Sequence, residues 1–330
     1  MTYYNSEQLE LYLERIGYAD SINATPGNNT TGRLHHVLQS IQQDRLATLT
    51  ELQRRHLASI PWGNSALHYS QHRSISIHPR AIFDKLVLRR LDGYCMENTN
   101  LFYMVLRCLG YYAYPTGGRV SEAVAGGNQT PGSELYMSLG HMVLIVIIDG
   151  QRYMVDVGFG NFGPTSPLPL KEDGSIVVCM APAEMRLVKD TPIEFTDRNQ
   201  KLWIYQIRHN PESNWIPQYS FSEVEFLPQD FATINYSTSH RPTSWFVQAL
   251  VCTRVILDET GIEPIGIYIL AGKEVKKRLR GETETVATFE KEEDRVNALA
   301  KWFDMHFLEH EIEGVLGLAS QIKQKLDRPN

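Results

Sequence analysis

The chain has 330 residues, of which 42% are hydrophobic and 21% are charged, as in an ordinary soluble globular protein. Its formal net charge of −6 argues against non-specific binding to nucleic acid. Because a single hydrophobic core stops growing at about this length, we expect two or three packed subdomains. The apolar run from Met142 to Ile148 is far too short to span a membrane.

Four cysteines, Cys95, Cys108, Cys179 and Cys252, are spread along the chain without the clustered spacing of a disulfide framework or a metal site. The first residues carry neither the charged start nor the apolar run of a secretory signal. We therefore predict free thiols in a reducing, cytoplasmic setting, and no association with a membrane.

The first third of the chain has the apolar spacing of helices. We predict helices at residues 6–16, 33–42, 47–56 and 79–86, with Ser6 as the cap of the first and Gly17 at its end. His35, His36 and His56 have no cysteines or carboxylates at ligand spacing. We interpret them as surface histidines and predict no metal site.

Cys95 stands between a glycine turn and a helical pattern. Gly93 ends the preceding pattern, and residues 96–109 place Leu101 and Val105 on one face. Cys95 is therefore predicted at a helix N-terminus, where the backbone dipoles favour a negative charge and ease ionisation of the thiol. A lone cysteine before an apolar helix is often only a core residue, so a nucleophile needs partners.

The partners come from a predicted hairpin. Residues 141–149 and 151–159 have the composition of two strands, and Asp149-Gly150 between them is a strong two-residue turn signal. With that turn Ile148 faces Gln151, so His141 and Asp156 become diagonal neighbours on one face of the pair. A change of one residue in the register would put them on opposite faces.

A cysteine activated by a histidine, with the histidine oriented by an aspartate, is an arrangement that performs covalent acyl transfer. A lone histidine at a strand end is often structural. An aspartate in an apolar strand is less easily dismissed, because burying a carboxylate without a partner is costly. Together the three residues favour a catalytic triad of Cys95, His141 and Asp156.

Several motifs resemble those of the arylamine N-acetyltransferase family. The nucleophile segment is Gly-Tyr-Cys-Met-Glu at residues 93–97, followed by Gly-His-Met at 140–142 and Val-Asp-Val-Gly-Phe-Gly at 155–160. Upstream, Ile-Pro-Trp-Gly-Asn at 60–64 is similar to the family's I-P-F-E-N. Downstream, Asn-Tyr-Ser-Thr-Ser at 235–239 and Ser-Trp-Phe at 244–246 are similar to a further family segment. The resemblance covers most of the chain.

The resemblance implies an α+β fold with a papain-like arrangement of Cys, His and Asp. Its parts would be an N-terminal helical bundle in residues 1–110, a central antiparallel β-barrel-like domain in 111–235 and a C-terminal α/β lid in 236–330. Cys95 would belong to the bundle, and His141 and Asp156 to the barrel. The long tail would cap the cleft, as in eukaryotic-type members.

Three positions depart from the family pattern around the nucleophile. Asp92 stands where the family has the first glycine of a pair, Thr99 stands at the usual asparagine position, and Gly63 replaces a glutamate. None of them removes a triad residue, but they change the hydrogen bonding expected around Cys95.

The rest of the chain reads mainly as strands and loops. We predict a strand at 111–120, a long Gly-, Ser- and Thr-rich connection at 121–139, strands at 176–180, 185–188, 202–208, 245–257, 265–271, 274–279 and 285–289, and helices within 223–236, at 291–307 and at 312–326. The long connection is expected to line a cofactor cleft. The basic run at residues 276–280 is interpreted as a charged strand edge, with a role in binding cofactor phosphates as the alternative.

The resemblance implies an arylamine N-acetyltransferase that moves an acetyl group from acetyl-CoA to an arylamine or hydrazine through an acyl-Cys95 intermediate. Phe159 would contact the acceptor amine, although a core role for this residue fits equally. Rough alignment suggests Ser138, Gly140 and Ser237 as contacts of coenzyme A. Three alternatives stay open: malonyl-CoA as the donor, a cysteine hydrolase or transglutaminase-like enzyme, and a scaffold that has lost its activity.

Overall fold

A computed structural model describes residues 3–19, 32–125 and 130–323. The N-terminal part is helical, with α1 at Ser6–Arg15, α2 at Arg33–Gln43, α3 at Arg45–Ser59, α4 at Pro79–Phe83 followed by a π-helical turn at Asp84–Leu88, and α5 at Cys95–Cys108. Asn5, rather than the predicted Ser6, caps α1 by accepting a hydrogen bond from the Gln8 amide at 2.9 Å. Part of the connection between α1 and α2 lies outside the described residues.

An eight-stranded antiparallel sheet follows and curls into a nearly closed barrel. Its strands are β2 at Tyr112–Ser121, β3 at Tyr136–Ile148, β4 at Gln151–Val155, β5 at Leu168–Pro169, β6 at Ile176–Val178, β7 at Glu184–Asp190, β8 at Leu202–Arg208 and β9 at Ile216–Phe221. Their spatial order is β5-β4-β3-β2-β9-β8-β7-β6. β3 begins five residues before His141, so the predicted connection at 121–139 is shorter than expected, and its residues 126–129 lie outside the described part of the chain.

The second sheet has five antiparallel strands. It pairs one short strand from the N-terminal third of the chain with four strands from the C-terminal third. They are β1 at Trp62–Gly63, β10 at Val251–Leu257, β11 at Pro264–Ala271, β12 at Glu274–Leu279 and β13 at Glu282–Thr288, in that spatial order. The remaining helices are α6 at Pro228–His240, α7 at Trp245–Gln248, α8 at Glu292–Phe303 and α9 at Glu309–Ile312. Because β12 lies between β11 and β13, the basic run is not the sheet edge that we predicted.

Two predictions about the C-terminal third were wrong. The predicted strand at 245–257 begins as helix α7, because Ser244 starts a helical turn and β10 pairing begins only at Val251. The predicted helix at 312–326 is a short α9 and a 3₁₀ turn at Glu313–Val315, and Gly317 has a φ of 80° that ends helical geometry. Residues 324–326 of that prediction lie outside the described part.

The hydrophobic core forms three clusters in the described residues. The largest fills the helical part and the inner face of β3, with Phe102 and Leu144 fully buried. A second lies under the five-stranded sheet around Leu299 and Phe303, and a third fills the barrel around Tyr205 and Tyr219. The predicted limits of the three domains remain a prediction. No helix among the described residues is long and apolar enough to cross a membrane.

Candidate active site

Cys95 is the first residue of α5 and is 4% exposed, at the base of a cleft. The preceding turn is tied to the start of the five-stranded sheet, since the Gly93 amide donates to Pro61 O at 3.2 Å and the Gly63 amide donates to Gly93 O at 3.0 Å. A Cβ at Gly93 would lie 2.9 Å from the Glu97 Cβ, so the turn requires glycine. The first amides of a helix lack acceptors within it, and Cys95 stands at this end of α5.

The hairpin register that the sequence predicts is present. Ile148 pairs with Gln151 and Leu144 with Val155, and both Asp149 and Gly150 have positive φ, at 49° and 81°. This geometry is that of a type I′ turn, which matches the twist of the strands it joins. β4 ends at Val155, so Asp156 lies just beyond the strand rather than inside it.

His141 and Asp156 form a buried pair. The His141 Nε2 and the Asp156 Oδ2 are 2.7 Å apart, and Asp156 Oδ1 accepts a hydrogen bond from the Gly158 amide at 2.7 Å. The backbone of Asp156 is held from α3, because the buried Gln53 amide donates to Asp156 O at 3.1 Å and to Pro164 O at 3.0 Å. Both carboxylate oxygens are therefore engaged, and the imidazole is fixed by its Nε2.

The electrostatics of the pair favour an imidazolium. Burial lowers the pKa of His141, but the Asp156 carboxylate and the neighbouring Cys95 thiol outweigh it and raise the pKa to about 10. Since Nε2 is engaged by Asp156, Nδ1 is the ring nitrogen left for the Cys95 thiol. The Cys95 Sγ also lies 3.6 Å from Gly140 O, next to His141 in the chain.

A cleft of about 1290 Å³ opens above these residues. Cys95, His141, Phe159, Ser138, Gly140 and Ser237 all line it, whereas Asp156 lies behind His141 and does not. The Phe159 ring meets the His141 ring edge-on, with centroids 5.3 Å apart. The structure thus brings together every site residue that the sequence predicts.

Two of the departures from the family pattern, Asp92 and Gly63, lie next to each other. Asp92 is buried, and its carboxylate accepts hydrogen bonds from the Ser65 amide at 3.1 Å and from the Ser65 hydroxyl. A Cβ on Gly63 would lie 2.1 Å from the Asp92 Oδ2. Position 63 can therefore carry no side chain while position 92 carries the carboxylate, so the two departures are coupled.

The third departure faces the loop that follows Asp156. A Cβ on Gly158 would lie 2.4 Å from Thr99 Oγ1 and 2.7 Å from Cys95 Cα, so this glycine lets the loop contact the nucleophile backbone. Asn98, beside Thr99, supports the turn before Cys95 by donating to Gly93 O and to Pro61 O. Asn98 also accepts from His56, which is fully buried and not the surface residue that we predicted.

The sequence analysis did not predict β9, which forms one wall of the cleft beside His141. Tyr219 is buried with its ring centroid 4.8 Å from that of His141, and burial together with Asp156 raises its pKa well above the usual range. Our sequence analysis assigned no element to this segment, whose Pro217 argues against a central strand. Pro217 lies beyond the stretch in which β9 pairs with β2, so its missing amide costs no hydrogen bond to that strand. The alternation of aromatic residues at Tyr219 and Phe221 could have indicated this strand.

The two arginines before the nucleophile turn lie away from the site. Arg89 pairs with Glu311 at 3.0 Å and Arg90 pairs with Asp304 at 2.6 Å. In the described part of the chain, no group of three or more His, Cys, Asp or Glu side chains is placed to hold a metal ion.

A thiol at a helix start, an imidazole from the next sheet and a carboxylate behind it define a cysteine enzyme with a papain-like arrangement. The sequence matches the family model described as N-acetyltransferase over residues 45–312. The chain belongs to the arylamine N-acetyltransferase family and is an acyltransferase.

Relatives and solved structures agree with this membership. The chain is 33% identical over 317 residues to N-malonyltransferase FDB2 of Gibberella moniliformis, covering 93% of this chain and 91% of that protein. It is 27% identical over 273 residues to human arylamine N-acetyltransferase 1, covering 80% and 81%. The structure of the Mycobacterium marinum arylamine N-acetyltransferase in complex with CoA superposes with a TM-score of 0.68 at 27% identity, covering 90% and 92%.

Proposed function

We propose that the chain transfers an acetyl group from acetyl-CoA to an arylamine or hydrazine, in two half-reactions through Cys95. The proposal rests chiefly on the 2.7 Å contact between His141 Nε2 and Asp156 Oδ2 beside a cysteine at a helix start. This arrangement suits proton transfer at the thiol and at the attacking amine. Family membership favours acyl transfer over the cysteine hydrolase and the inactive scaffold.

In the first half-reaction, the Cys95 thiolate attacks the thioester carbonyl. The new S–C bond forms as the bond to the sulfur of coenzyme A breaks, and the departing thiolate takes the proton from the His141 imidazolium. The first amides of α5 stabilise the oxyanion. Asp156 holds the imidazole in one orientation by its Nε2 and balances its positive charge.

In the second half-reaction, the amine attacks the acyl-Cys95 carbonyl. His141 accepts the proton that the amine loses, and the bond to Cys95 Sγ breaks to release the amide product. The Cys95 thiolate and the His141 imidazolium are regenerated, so the cycle balances. The Phe159 ring, packed edge-on to His141, is positioned to contact the aromatic acceptor.

Coenzyme A would lie in the cleft along Ser138, Gly140 and Ser237, which line it with Cys95. Helix α6, which carries Ser237, is linked to the nucleophile turn because Tyr94 donates to Asn235 Oδ1 and the Asn235 amide donates to Ile75 O at 3.0 Å. We also propose a reducing, cytoplasmic setting, since all four cysteines are free.

Malonyl-CoA is a second candidate donor. One relative, at 33% identity over 93% of this chain, is named an N-malonyltransferase. Transfer of a malonyl group would use the same triad and the same proton movements, because the second carboxylate takes no part in either bond change.

Intact mass spectrometry with acetyl-CoA or malonyl-CoA, without an acceptor, tests both candidates. We expect one acyl group on Cys95, removed when an arylamine is added, and the faster donor is the preferred one. Cys95→Ser should gain no acyl group while keeping its circular dichroism spectrum. If neither donor labels the wild-type protein while Cys95 still reacts with an alkylating agent, the proposed function is wrong.

A further inference from the structure

Two buried carboxylates flank the nucleophile in the chain. Asp92 lies three residues before Cys95 and Glu97 lies two residues after it, and both acidic residues are 1% exposed. Glu97 approaches the backbone of the nucleophile turn closely, because a Cβ on Gly93 would lie 3.3 Å from Glu97 Oε2. Neither carboxylate takes part in the bond changes of the proposed function. Since buried negative charges are costly and disfavour a thiolate beside them, their charge has to be compensated nearby.

Each carboxylate holds one side of the nucleophile turn. Asp92 accepts a hydrogen bond from the Ser65 amide at 3.1 Å, which ties the turn to the segment after β1. Glu97 Oε2 accepts a hydrogen bond from the Tyr94 amide at 3.3 Å, at the start of α5. An ionised carboxylate only accepts hydrogen bonds, whereas a protonated one also carries a donor that needs a partner. Both bonds are therefore strongest while both carboxylates keep their charge.

Lys85 places a positive charge next to these carboxylates. Its Nζ lies 2.7 Å from Glu97 Oε1, and only 17% of its side chain is exposed, so salt screens the pair weakly. Lys85 belongs to the π-helical turn at Asp84–Leu88, a geometry that often occurs at functional sites. Its carbonyl accepts a hydrogen bond from the Leu91 amide at 3.0 Å. Lys85 thus contacts the chain on both sides of Cys95, before it through the backbone and after it through the ammonium.

The charge of Lys85 acts on both carboxylates. Burial raises the pKa of Asp92 and the pKa of Glu97, and the Lys85 ammonium opposes the rise in each. The negative charge of Asp92 raises the pKa of Glu97 further. The Cys252 thiol of β10 faces Asp92, and the Tyr94 hydroxyl faces Glu97. Burial raises the pKa of both groups well above their usual ranges, so both stay neutral.

We propose that Lys85 is a positioning residue whose charge keeps Asp92 and Glu97 ionised on either side of Cys95. The inference rests on the proposed function, because it takes Cys95 as the nucleophile. Without Lys85, either both negative charges remain uncompensated and disfavour the thiolate, or one carboxylate takes a proton and weakens its hydrogen bond to the turn. Both changes make Cys95 less reactive at a given pH.

The test measures alkylation of Cys95 by chloroacetamide, an uncharged reagent, as a function of pH, with the modified residue mapped by peptide mass spectrometry. In Lys85→Met, we expect the acid limb of the rate profile to move up by about one pH unit, which is about a tenfold lower rate on that limb. Arg89→Met is the matched control: Arg89 follows the same π-helical turn but pairs with Glu311 at 3.0 Å, so its profile should stay that of the wild type. An unchanged profile in Lys85→Met overturns the proposal.

A second substitution separates the charge of Lys85 from its packing. Asp92→Asn removes one negative charge and keeps an oxygen that can accept from the Ser65 amide. Combined with Lys85→Met, it restores the net charge of the cluster, so the acid limb of the double variant should return close to that of the wild type. A double variant that stays shifted means that Lys85 acts through packing, and overturns the proposal. If Lys85→Met alone does not fold, the double variant should fold and show the wild-type profile, and its failure to do so overturns the proposal as well.

This experiment also separates the role of Lys85 from the proposed function. Alkylation of Cys95 needs no acyl-CoA, so it reports on the thiol even where acyl transfer is absent. If neither acyl donor labels the wild-type protein while the variants show the expected shifts, the proposed function is wrong and the role of Lys85 in activating the thiol is supported. If acylation proceeds and the shifts are absent, the role of Lys85 is overturned and the proposed function stands.

Discussion

At the scale of single residues, the site depends on one carboxylate that has two separate partners. Asp156 uses Oδ2 for His141 and Oδ1 for the Gly158 amide, so its orientation is fixed independently of the histidine. An asparagine at this position keeps the size of the side chain but loses the charge. The residue therefore offers a test that separates electrostatics from packing.

Asp156→Asn should lower kcat/KM by about 10³–10⁴-fold, the loss typical of a triad whose carboxylate is replaced by its amide. The Asp156 charge raises the pKa of His141 to about 10, so the imidazolium persists below that pH and is lost above it. Without the Asp156 charge the pKa of His141 falls, and the alkaline limb of the pH–rate profile should move to lower pH. The profile of acyl transfer from pH 6 to 11 measures this shift. A variant with wild-type rates and an unshifted alkaline limb would mean that Asp156 is only structural.

Gly158→Ala should reduce the rate of acylation of Cys95 by about 100-fold, because displacement of a reacting group by about 1 Å has costs of this order. The new Cβ would lie 2.7 Å from Cys95 Cα and 3.0 Å from Cys95 O, and backbone atoms cannot give way cheaply. Stopped-flow measurement of acyl-enzyme formation checks the rate. Removing the Thr99 hydroxyl as well should not restore it, since the contacts with Cys95 remain. Full activity in either variant would mean that the close approach of residue 158 to the Cys95 backbone does not matter for acylation.

At the scale of elements, the β3–β4 hairpin sets the position of His141 relative to Asp156. Gly150 has a φ of 81°, and a Cβ added there meets no atom within 4 Å. Gly150→Ala should therefore lower the free energy of unfolding by about 1 kcal/mol through backbone strain alone. Urea unfolding measures the change, and Asp149→Asn serves as the control because asparagine tolerates a positive φ. A loss of activity at full stability would mean that the turn affects the site by another route.

The hairpin also explains why so much of the site could be predicted from the sequence. A two-residue turn fixes the register over the whole strand pair, and glycine before an apolar helix fixes the start of α5; both signals are local. β9 and α7 could not be predicted in this way. Pro217 is tolerated because β9 has no partner on its β2 side at that point, although Pro217 pairs with Gln206 of β8 on the other side. Trp245 is helical although aromatic residues favour strands, so tertiary pairing decided both.

At the scale of the whole molecule, the segment before the nucleophile turn links the helical part to the five-stranded sheet. β1, from Trp62 to Gly63, pairs with β10 of the five-stranded sheet and also contacts Gly93. On the other side, the buried His56 of α3 joins α1 and α5: its Nδ1 lies 2.9 Å from the Tyr12 hydroxyl and its Nε2 lies 3.0 Å from Asn98 Oδ1. An Asn oxygen only accepts, so Nε2 carries a proton, and burial, which lowers the pKa of His56 to about 3, keeps the ring neutral.

This neutral histidine makes the stability of the molecule sensitive to acid. Burial lowers the pKa of His56 from 6.5 to about 3, so the unfolded chain binds a proton there that the folded protein does not. The contribution of His56 to stability is therefore complete above pH 6.5 and is lost as the pH falls from 6.5 towards 3, by about 1.4 kcal/mol per pH unit. His56→Gln does not titrate, so the difference in free energy of unfolding between wild type and variant cancels the effects of other groups. Urea unfolding at pH 6.5 and pH 5 should show this difference shrink by about 2 kcal/mol. A difference that stays constant over this range would mean that His56 is protonated in the folded protein, and that the link between α1, α3 and α5 is an ionic one.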